Sequence, residues 1–340
     1  MSAHRKATLS DVASRAGVST TTASYILNNR SAQMRISADA DERVRRAAAE
    51  LSYRPNRSAQ SLRTRRSGTI GLISDSVASG QYGSRMLTGA SAAARALDHL
   101  VVIGETEGDP VLAAQLIEEM TDRQVDGFIY ATLVTSEVII PEGLRETRSV
   151  LLNCVDRERT LPAVLPDEVA GGRTAAEVVL GAGHTTDVYV IGHDPNPHAL
   201  AGPLRMEGVT ARLAEAGVEV AGVVPTGWSV LPAYEAVLSW LRSGVRPEAV
   251  ICLNDRIALG AYEALADHGL AVPGEVTVVS FDGSTLASWL RPSLTSVSLP
   301  YVELGAAAVR MLMDPATPSD AIERLKMPLL AGDSVRPIAR

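Results

Sequence analysis

The chain has 340 residues, of which 46% are hydrophobic and only 4% aromatic, and its formal net charge is −7. This length predicts two or three domains, with cores built mainly of Ala, Val, Leu and Ile. There is no apolar run long enough for a membrane span and no apolar stretch of a signal peptide, so we expect a cytoplasmic protein. Cys154 and Cys252 each lie in an apolar run, which favours two buried thiols over a disulfide or a metal site.

The net charge is unevenly distributed along the chain. Residues 1–66 hold 13 Lys and Arg against 5 Asp and Glu, whereas the remaining residues hold 19 basic and 34 acidic side chains. A basic N-terminal part on an acidic body predicts a polyanionic partner for the N-terminal part alone.

The first two predicted helices are short and closely spaced. Thr8 can cap the helix LSDVASRAG, Gly17 supplies a turn, and Ser19 can cap the helix TTTASYILN. Two such helices joined by a Gly-containing turn predict a helix-turn-helix, in which the exposed start of the second helix faces base edges in the major groove. The candidates for base contact are Thr20, Thr21 and Tyr25.

Other polar side chains of this segment are placed for contact with DNA phosphates. They are Thr8, Ser19, Thr22, Ser24 and Asn28. A third helix, about residues 36–53, carries Val44, Ala48 and Leu51 at helical spacing and is expected to close a small core.

The segment RPNRSAQSLRTRRS follows the third helix. Pro55 ends that helix, and Asn56 can cap a short new helix that carries Ala59 and Leu62 on one side. Such a helix is too short to be stable alone in water. The residues fit either a flexible interdomain linker or a segment that folds on DNA and inserts Leu62 into the minor groove.

The motifs DVASRAGVSTTTASYILN, YRPNRSAQSLR and GTIGLI, in this order, resemble the LacI/GalR family of bacterial transcription regulators. The resemblance runs the whole chain. It implies that residues 56–62 form a hinge helix, with Asn56 and Arg57 among the DNA contacts and Ala59 and Leu62 at the minor-groove positions.

Two features of the N-terminal part depart from the family pattern. Tyr25 stands where many members have Arg, so the base preference at this position does not carry over. The stretch NNRSAQMRIS is slightly longer than usual, and within it Arg35 is expected to reach the DNA backbone.

From Thr69 onward, short apolar runs alternate with amphipathic segments, and such repeated strand–helix units predict parallel sheets with right-handed crossovers. The runs are TIGLI (69–73), LVVIG (100–104), VDGFIYA (125–131), SVLLN (149–153), DVYVIG (187–192), EVAGVV (219–224), AVICL (249–253), VTVVSF (276–281) and LTSVS (294–298). GAGH (181–184) follows a helix and lacks the third glycine of a dinucleotide loop, so we expect a helix C-cap turn there.

The resemblance implies a small all-α helix-turn-helix head followed by an α/β core of the periplasmic-binding-protein type, with two Rossmann-like lobes and parallel sheets. We expect the head at 1–55, the hinge helix and linker at 56–67, and the ligand-binding and dimerisation core at 68–340. Lobe one is expected at about 68–164 plus 296–326, and lobe two at about 165–294 plus 327–340.

Ligands of open α/β sheets bind beyond the carboxyl ends of the strands, so the loops there hold the candidate ligand contacts. These candidates are Tyr82, Asn153, Arg205, Trp228, Asn254 and Asp282. A carboxylate, an arginine and amides around an indole suit a polyhydroxylated ligand, whose C–H face packs on the aromatic ring.

Each candidate also has a plainer explanation. Arg205 could be a solvated residue and Asp282 a turn residue, but RMEG and FDG match ligand-binding motifs of the family, which favours the ligand role. Trp228 could serve packing alone, although its family position favours the pocket. Asn254 and Asp255 could cap the helix RIALGAYEAL.

No P-loop, nucleophile elbow, metal-ligand spacing or cofactor motif is recognisable, so an enzyme is not expected. We expect a homodimeric repressor that binds a pseudo-palindromic operator in double-stranded DNA, with no membrane association. A small-molecule effector, most simply a carbohydrate, would control it. The alternative is a sugar-binding transport protein or a Rossmann-like enzyme; a transport protein would begin with a signal peptide, whereas this chain begins with a helix-turn-helix.

Overall fold

The computed structural model describes residues 7–53, 66–80, 83–193 and 196–336. They belong to two compact units, Met1–Ser67 and Gly68–Arg340. No helix in these ranges is long and apolar enough to cross a membrane.

Several residues singled out in the sequence lie outside the described ranges. They are the hinge-helix candidates Asn56, Arg57, Ala59 and Leu62, and the ligand candidate Tyr82. Their roles stay predictions.

The N-terminal unit contains three helices, α1 (Leu9–Ala16), α2 (Thr20–Leu27) and α3 (Ala38–Glu50). Apolar residues at helical spacing on all three meet in one small core, with Val12, Ile26 and Val44 fully enclosed. Small Ala13 and Ala23 also lie in this core, which lets the first two helices approach closely. The expected helix-turn-helix with a closing third helix is confirmed.

Side-chain caps set where α1 and α2 begin. Thr8 accepts a hydrogen bond from the Asp11 backbone N–H at 3.3 Å, and the Asp11 carboxylate accepts one from the Thr8 N–H at 2.8 Å. Ser19 accepts from the Thr22 N–H at 3.0 Å. Between the helices, Gly17 has a φ of 66°, a left-handed conformation that favours glycine.

The C-terminal unit contains two six-stranded sheets. Its strands are β1 (Thr69–Ser74), β2 (Leu100–Glu105), β3 (Phe128–Val138), β4 (Ser149–Asp156), β5 (Ala163–Pro166), β6 (Val188–Ile191), β7 (Gly222–Val224), β8 (Ala249–Cys252), β9 (Thr277–Asp282), β10 (Thr295–Ser298), β11 (Ile322–Leu325) and β12 (Leu329–Leu330). The first sheet, in lobe one, has the order β11-β5-β4-β3-β1-β2, and the second, in lobe two, has the order β12-β10-β9-β8-β6-β7. All pairs are parallel except β10 with β12.

Helices connect the strands and cover the sheets. They are α4 (Ser84–Ala96), α5 (Pro110–Asp122), α6 (Glu142–Arg145), α7 (Glu168–Gly181), α8 (Ala201–Glu215), α9 (Val230–Arg242), α10 (Asp255–Asp267), α11 (Thr285–Trp289) and α12 (Tyr301–Met313). In lobe one α4 packs on α12, and in lobe two α7 packs on α8 and α9 on α10. The fold class expected from the sequence, an all-α head with a two-lobed parallel α/β core, is confirmed. The GAGH stretch is the expected C-cap turn of α7, with Gly183 at a φ of 87°.

The chain passes between the lobes three times: after β5, after β10 and after β11. The sequence placed the second passage near residue 295. The sheet order instead keeps β10 in lobe two, because β10 pairs with β9 from Thr295 to Ser298. The passage therefore lies between Ser298 and the start of α12 at Tyr301.

Candidate functional site

The exposed start of α2 carries the predicted base contacts. Thr20 and Thr21 are exposed, whereas Tyr25 is half-buried, with the Arg30 guanidinium 5.6 Å from its ring centre. None of these three side chains belongs to the apolar core of the head. The surface is therefore available for recognition without disturbing the fold.

Several side chains predicted to contact phosphates already form hydrogen bonds within the head. Thr8 and Ser19 are exposed helix caps, and Thr22 lies beside Ser19 with their hydroxyls 2.9 Å apart. Asn28 donates to the Ser24 carbonyl at 2.6 Å, so this amide stabilises the end of α2. Their contacts with DNA stay predictions.

Several arginines of the head already have carboxylate partners. Arg15 pairs with Glu50 at 2.9 Å, and Arg43 pairs with Asp39 at 2.6 Å. Arg35 is exposed and forms no ion pair with any described residue, which leaves its charge free for a phosphate. Its φ of 49° shows that the loop before α3 turns sharply here.

In the C-terminal unit, a cavity of about 140 Å³ lies between the two lobes, at the carboxyl ends of both sheets. This is the place where open α/β sheets bind ligands. Its lining residues come from both lobes: Gly80, Leu133, Val134, Thr135, Asn153, Glu168, Ala201, Arg205, Trp228, Arg256, Asp282, Leu299 and Tyr301. The predicted residues Asn153, Arg205, Trp228 and Asp282 are thus brought together.

Arg205 is the largest fully enclosed side chain in the described chain, with 1% of its surface exposed. Its Nε donates to Glu168 Oε2 at 2.7 Å, and its Nη1 lies 3.4 Å from Asp282 Oδ1. Burial opposes the charged form, but the charges of Glu168 and Asp282 prevail and raise the pKa of the guanidinium. The plainer possibility of a solvated arginine is wrong.

Asp282 is the last residue of β9 and has a φ of 98°, a conformation that side-chain-bearing residues rarely adopt. Burial raises the pKa of its carboxyl to about 7, against the lowering effect of Arg205, and the negative charges of Asp255 and Glu168 add to the rise. Backbone strain and a perturbed carboxyl at a cavity wall are features typical of functional sites.

Asn153, in β4, is also held in a left-handed conformation, with a φ of 60°. Its amide donates to the carbonyls of Thr132 and Leu133, each at 3.0 Å. The Thr135 hydroxyl lies 2.7 Å from Asn153 Oδ1 and 2.8 Å from Glu168 Oε1, and a hydroxyl can donate only one hydrogen bond at a time. One of these two acceptors therefore remains available to another donor.

Trp228 forms the apolar wall of the cavity. The Arg205 guanidinium carbon lies 5.6 Å from the centre of its ring. Its Nε1 is enclosed and has no hydrogen-bond partner among the described residues.

Asn254 does not line the cavity, although the sequence placed it there. It caps α10 instead, since its Oδ1 accepts from the Ile257 N–H at 2.7 Å. The next residue, Asp255, is buried, and its carboxylate accepts hydrogen bonds from the Ser280, Ser284 and Ser296 hydroxyls.

Four polar lining residues were missed from the sequence: Thr135, Glu168, Arg256 and Tyr301. Glu168 and Tyr301 follow passages between the lobes, where no motif marks a ligand contact. The stretch LNDR, directly after β8, could have indicated Arg256, because residues that follow a strand's carboxyl end face this cavity.

No group of His, Cys, Asp and Glu that could hold a metal ion occurs in the described part of the chain. Cys154 and Cys252 are free and buried, as expected. Burial raises the pKa of the Cys154 thiol to about 12, which leaves little reactive thiolate.

Comparison with known proteins covers nearly the whole chain. Residues 8–56 match the family described as bacterial regulatory proteins, lacI family, and residues 176–335 match the periplasmic binding protein-like domain. The transcriptional regulator DegA of Bacillus subtilis is 30% identical over 308 residues, which are 88% of this chain and 89% of DegA. The ribose operon repressor of Escherichia coli K12 is 29% identical over 331 residues, which are 94% of this chain and 97% of that protein.

Solved structures show the same fold. The lac repressor dimer, bound to operator and the anti-inducer ONPF, superposes with a TM-score of 0.79 over 98% of this chain and 100% of that chain, at 24% identity. A helix-turn-helix head, a ligand-type cavity between two lobes and these relatives lead to one assignment. The chain belongs to the lacI family of bacterial regulatory proteins and is a ligand-responsive, DNA-binding regulator of transcription.

Proposed function

We propose that the protein is a repressor whose operator affinity is controlled by a sugar or sugar derivative bound in the cavity between the lobes. The observation that carries this proposal is the arrangement around Arg205. The guanidinium is fixed by Glu168 and Asp282 beside the Trp228 ring, with Asn153 on the opposite lobe.

This arrangement suits a polyhydroxylated ring for two reasons. Fixed charged and amide groups exchange hydrogen bonds with hydroxyls, and they do so without reorganisation because the ion pairs already hold them. The indole face offers an apolar surface to the C–H groups of a sugar ring. The ribose operon repressor among the relatives is named for a sugar operon, which agrees with this ligand class.

Contacts from both lobes explain how such a ligand would act on the protein. Asn153 and Thr135 belong to lobe one, whereas Arg205 and Trp228 belong to lobe two. A ligand that touches both lobes binds their closed arrangement more tightly than an open one and therefore shifts the population between them. Such coupling between two sites typically amounts to about 1–3 kcal/mol.

A thermal-shift screen of pentoses, hexoses and disaccharides tests the ligand class. We expect at least one of them to raise the melting temperature of the wild type, and Asp282→Asn to remove that rise because it removes a carboxylate acceptor from the cavity. The matched control is Asp187→Asn, an exposed aspartate that also has a positive φ, 49°. If no sugar stabilises the wild type, the ligand class is wrong.

Asp282→Asn is a better test than removal of Arg205. Arg205→Ala would leave Glu168 and Asp282 buried without their cation, and breaking a buried pair in this way costs about 3–5 kcal/mol. Loss of ligand binding could then not be told from loss of the fold.

We further propose that the protein acts as a homodimer on a pseudo-palindromic operator. Lobe one exposes apolar residues on its edge strand β2 and the neighbouring helix ends, and lobe two does so on its edge strand β7 and in α9. These residues are Leu97, Leu100, Val102, Ile103, Val111, Val223 and Leu231. Exposed apolar patches of this kind commonly mark protein–protein interfaces.

The apolar face of α4, by contrast, is not exposed. That face is buried inside lobe one against α12, where Gly89 lies so close that a Cβ would stand 1.9 Å from the Val302 carbonyl oxygen. The edge strands therefore support the proposed interface, and the face of α4 does not.

For the remaining segments we retain the sequence-based proposal. Residues 1–55 form the DNA-binding domain, residues 56–67 a hinge helix and linker with Ala59 and Leu62 at the minor groove, and residues 68–340 the core. The protein is proposed to act in the cytoplasm, where its operator lies.

A further inference from the structure

Two arginines line the cavity, and their surroundings differ sharply. Arg205 is fixed by two carboxylates, Glu168 and Asp282, and also donates to the Leu253 carbonyl. Arg256 forms no ion pair and no hydrogen bond with any described residue. The cavity thus contains one neutralised cation and one cation that has no partner among the residues the structure describes.

Arg256 is the second residue of α10, and its side chain is half-buried. Its Nε is enclosed and has no acceptor among the described residues. Its positive charge reaches Asp282, where it helps to lower the pKa of that carboxyl, but the two side chains do not form an ion pair.

An enclosed donor without an acceptor is unfavourable and uncommon in folded proteins. The nearby carboxylates of Glu168 and Asp282 pair with Arg205, and neither forms an ion pair with Arg256. An acceptor supplied by a ligand would satisfy the enclosed donor. A carboxylate or a phosphate suits a guanidinium best, because two of its oxygens match two N–H groups of the planar fork.

We propose that the effector carries an acidic group, a carboxylate or a phosphate, and that Arg256 binds it. This inference rests on the proposed sugar-type function and narrows it to sugar acids and sugar phosphates. The hydroxyls of the ligand face Asn153 and Asp282, and its acidic group faces the start of α10.

The test compares neutral sugars with their acidic counterparts by isothermal titration calorimetry on the full-length protein. The pairs are glucose with gluconate, glucose with glucuronate, glucose with glucose 6-phosphate, and ribose with ribose 5-phosphate. Gluconate and glucuronate test a carboxylate, and the two sugar phosphates test a phosphate, so the comparison shows which acidic group is preferred. We expect one acidic member to bind about ten- to a hundred-fold more tightly than its neutral partner, which is the range for a hydrogen bond to a charged group.

Arg256→Gln is expected to remove this preference, so that the acidic and neutral members of a pair bind with similar affinity. The matched control, Arg242→Gln, changes an exposed arginine at the end of α9 and is expected to keep the preference. Arg256→Gln should also melt at the wild-type temperature, since no described residue loses a hydrogen bond, so that weaker binding reports on the ligand contact.

Three results would overturn the inference. A neutral sugar that binds while its acidic partners do not would refute the acidic group and leave the sugar-type function standing. Retention of the acidic preference in Arg256→Gln would refute the role of this residue alone. If neither the neutral nor the acidic members bind, the sugar-type function fails and the inference fails with it.

Discussion

At the residue scale, the buried charges of the cavity govern how the core responds to pH. Asp282 has an ordinary pKa of 3.8 and a pKa of about 7 in the folded protein, because burial disfavours its charged form. The folded state therefore holds a proton that the unfolded state releases between these two values. Stability from this group is fully present below pH 3.8 and is lost as the pH rises to about 7.

We therefore expect Asp282→Asn to stabilise the ligand-free protein increasingly between pH 4.5 and 7, and by a constant amount above about pH 7.5. A pKa difference of this size corresponds to up to about 4 kcal/mol. The measurement is the difference in melting temperature between variant and wild type across this range. Asp187→Asn is the matched control, because it removes an exposed carboxylate. A flat difference for Asp282→Asn across this range would contradict a raised pKa.

Residues also differ in how readily the sequence revealed them. Arg205 and Asp282 belong to short motifs, and Trp228 follows a strand, so each could be assigned to the cavity. Glu168 belongs to no recognisable motif. Its role in the cavity depends on Arg205, which lies 37 residues further along the chain and donates a hydrogen bond to it. The amide of Asn254 suits both a helix cap and a ligand contact; the geometry shows the cap, and the ligand contact stays a prediction.

At the element scale, α2 separates recognition from folding. Ala23 and Ile26 face the core of the head, whereas Thr20 and Thr21 face away from it. Side chains on the exposed face of a recognition helix can be changed at little cost in stability.

We expect Thr21→Ala to weaken specific operator binding by about five- to a hundred-fold, in line with the roughly 1–3 kcal/mol of a base contact, and to leave the melting of the head unchanged. Fluorescence anisotropy with operator and with unrelated DNA would measure this. Ser14→Ala, on the exposed face of α1, is the control for a small substitution in the head. Equal loss on both DNAs would indicate a phosphate contact and contradict base readout.

The longer elements of the core were predictable, and the short ones were not. Strands such as β1, β4 and β9 are apolar runs buried on both faces, which is typical of parallel sheets covered by helices. β11 and β12 have four and two residues, all of them partly or fully exposed, so they lack a hydrophobic pattern. β7 is also shorter than its apolar run, since only Gly222–Val224 pairs with β6.

At the scale of the whole molecule, β3 pairs within the sheet of lobe one and also forms backbone hydrogen bonds with a segment of lobe two. The Glu137 N–H donates to the His198 carbonyl at 2.8 Å, and the Leu200 N–H donates to the Thr135 carbonyl at 2.7 Å. Between these bonds, Ser136 and Ala199 form an antiparallel bridge. This short ladder lies directly before α8, the helix that carries Arg205. A movement of one lobe against the other would therefore also move a helix that lines the cavity.

The bridge offers a way to lock the lobes together. Ser136 and Ala199 form a non-hydrogen-bonded pair, for which the Cα atoms lie about 4.5 Å apart, within the range that a disulfide spans. We expect the double variant Ser136→Cys and Ala199→Cys, once oxidised, to keep one operator affinity with and without effector. Reduction with dithiothreitol should restore the response.

The single variants Ser136→Cys and Ala199→Cys are the controls, and Cys154 and Cys252 should not interfere because both are buried. An oxidised double variant, with the crosslink verified by mass spectrometry, that still responds fully to effector would show that lobe movement does not carry the signal.

The three passages between the lobes also bear on how the chain folds during synthesis. Lobe one lacks α12 and β11, and lobe two lacks β10 and β12, until nearly all of the core has left the ribosome. The head closes its own core with α3, which ends at Glu50. Since chains fold from the N-terminus as they emerge, the nascent protein holds a folded head long before its effector cavity exists. Newly made molecules thus pass through a stage at which they carry the DNA-binding unit but cannot be regulated.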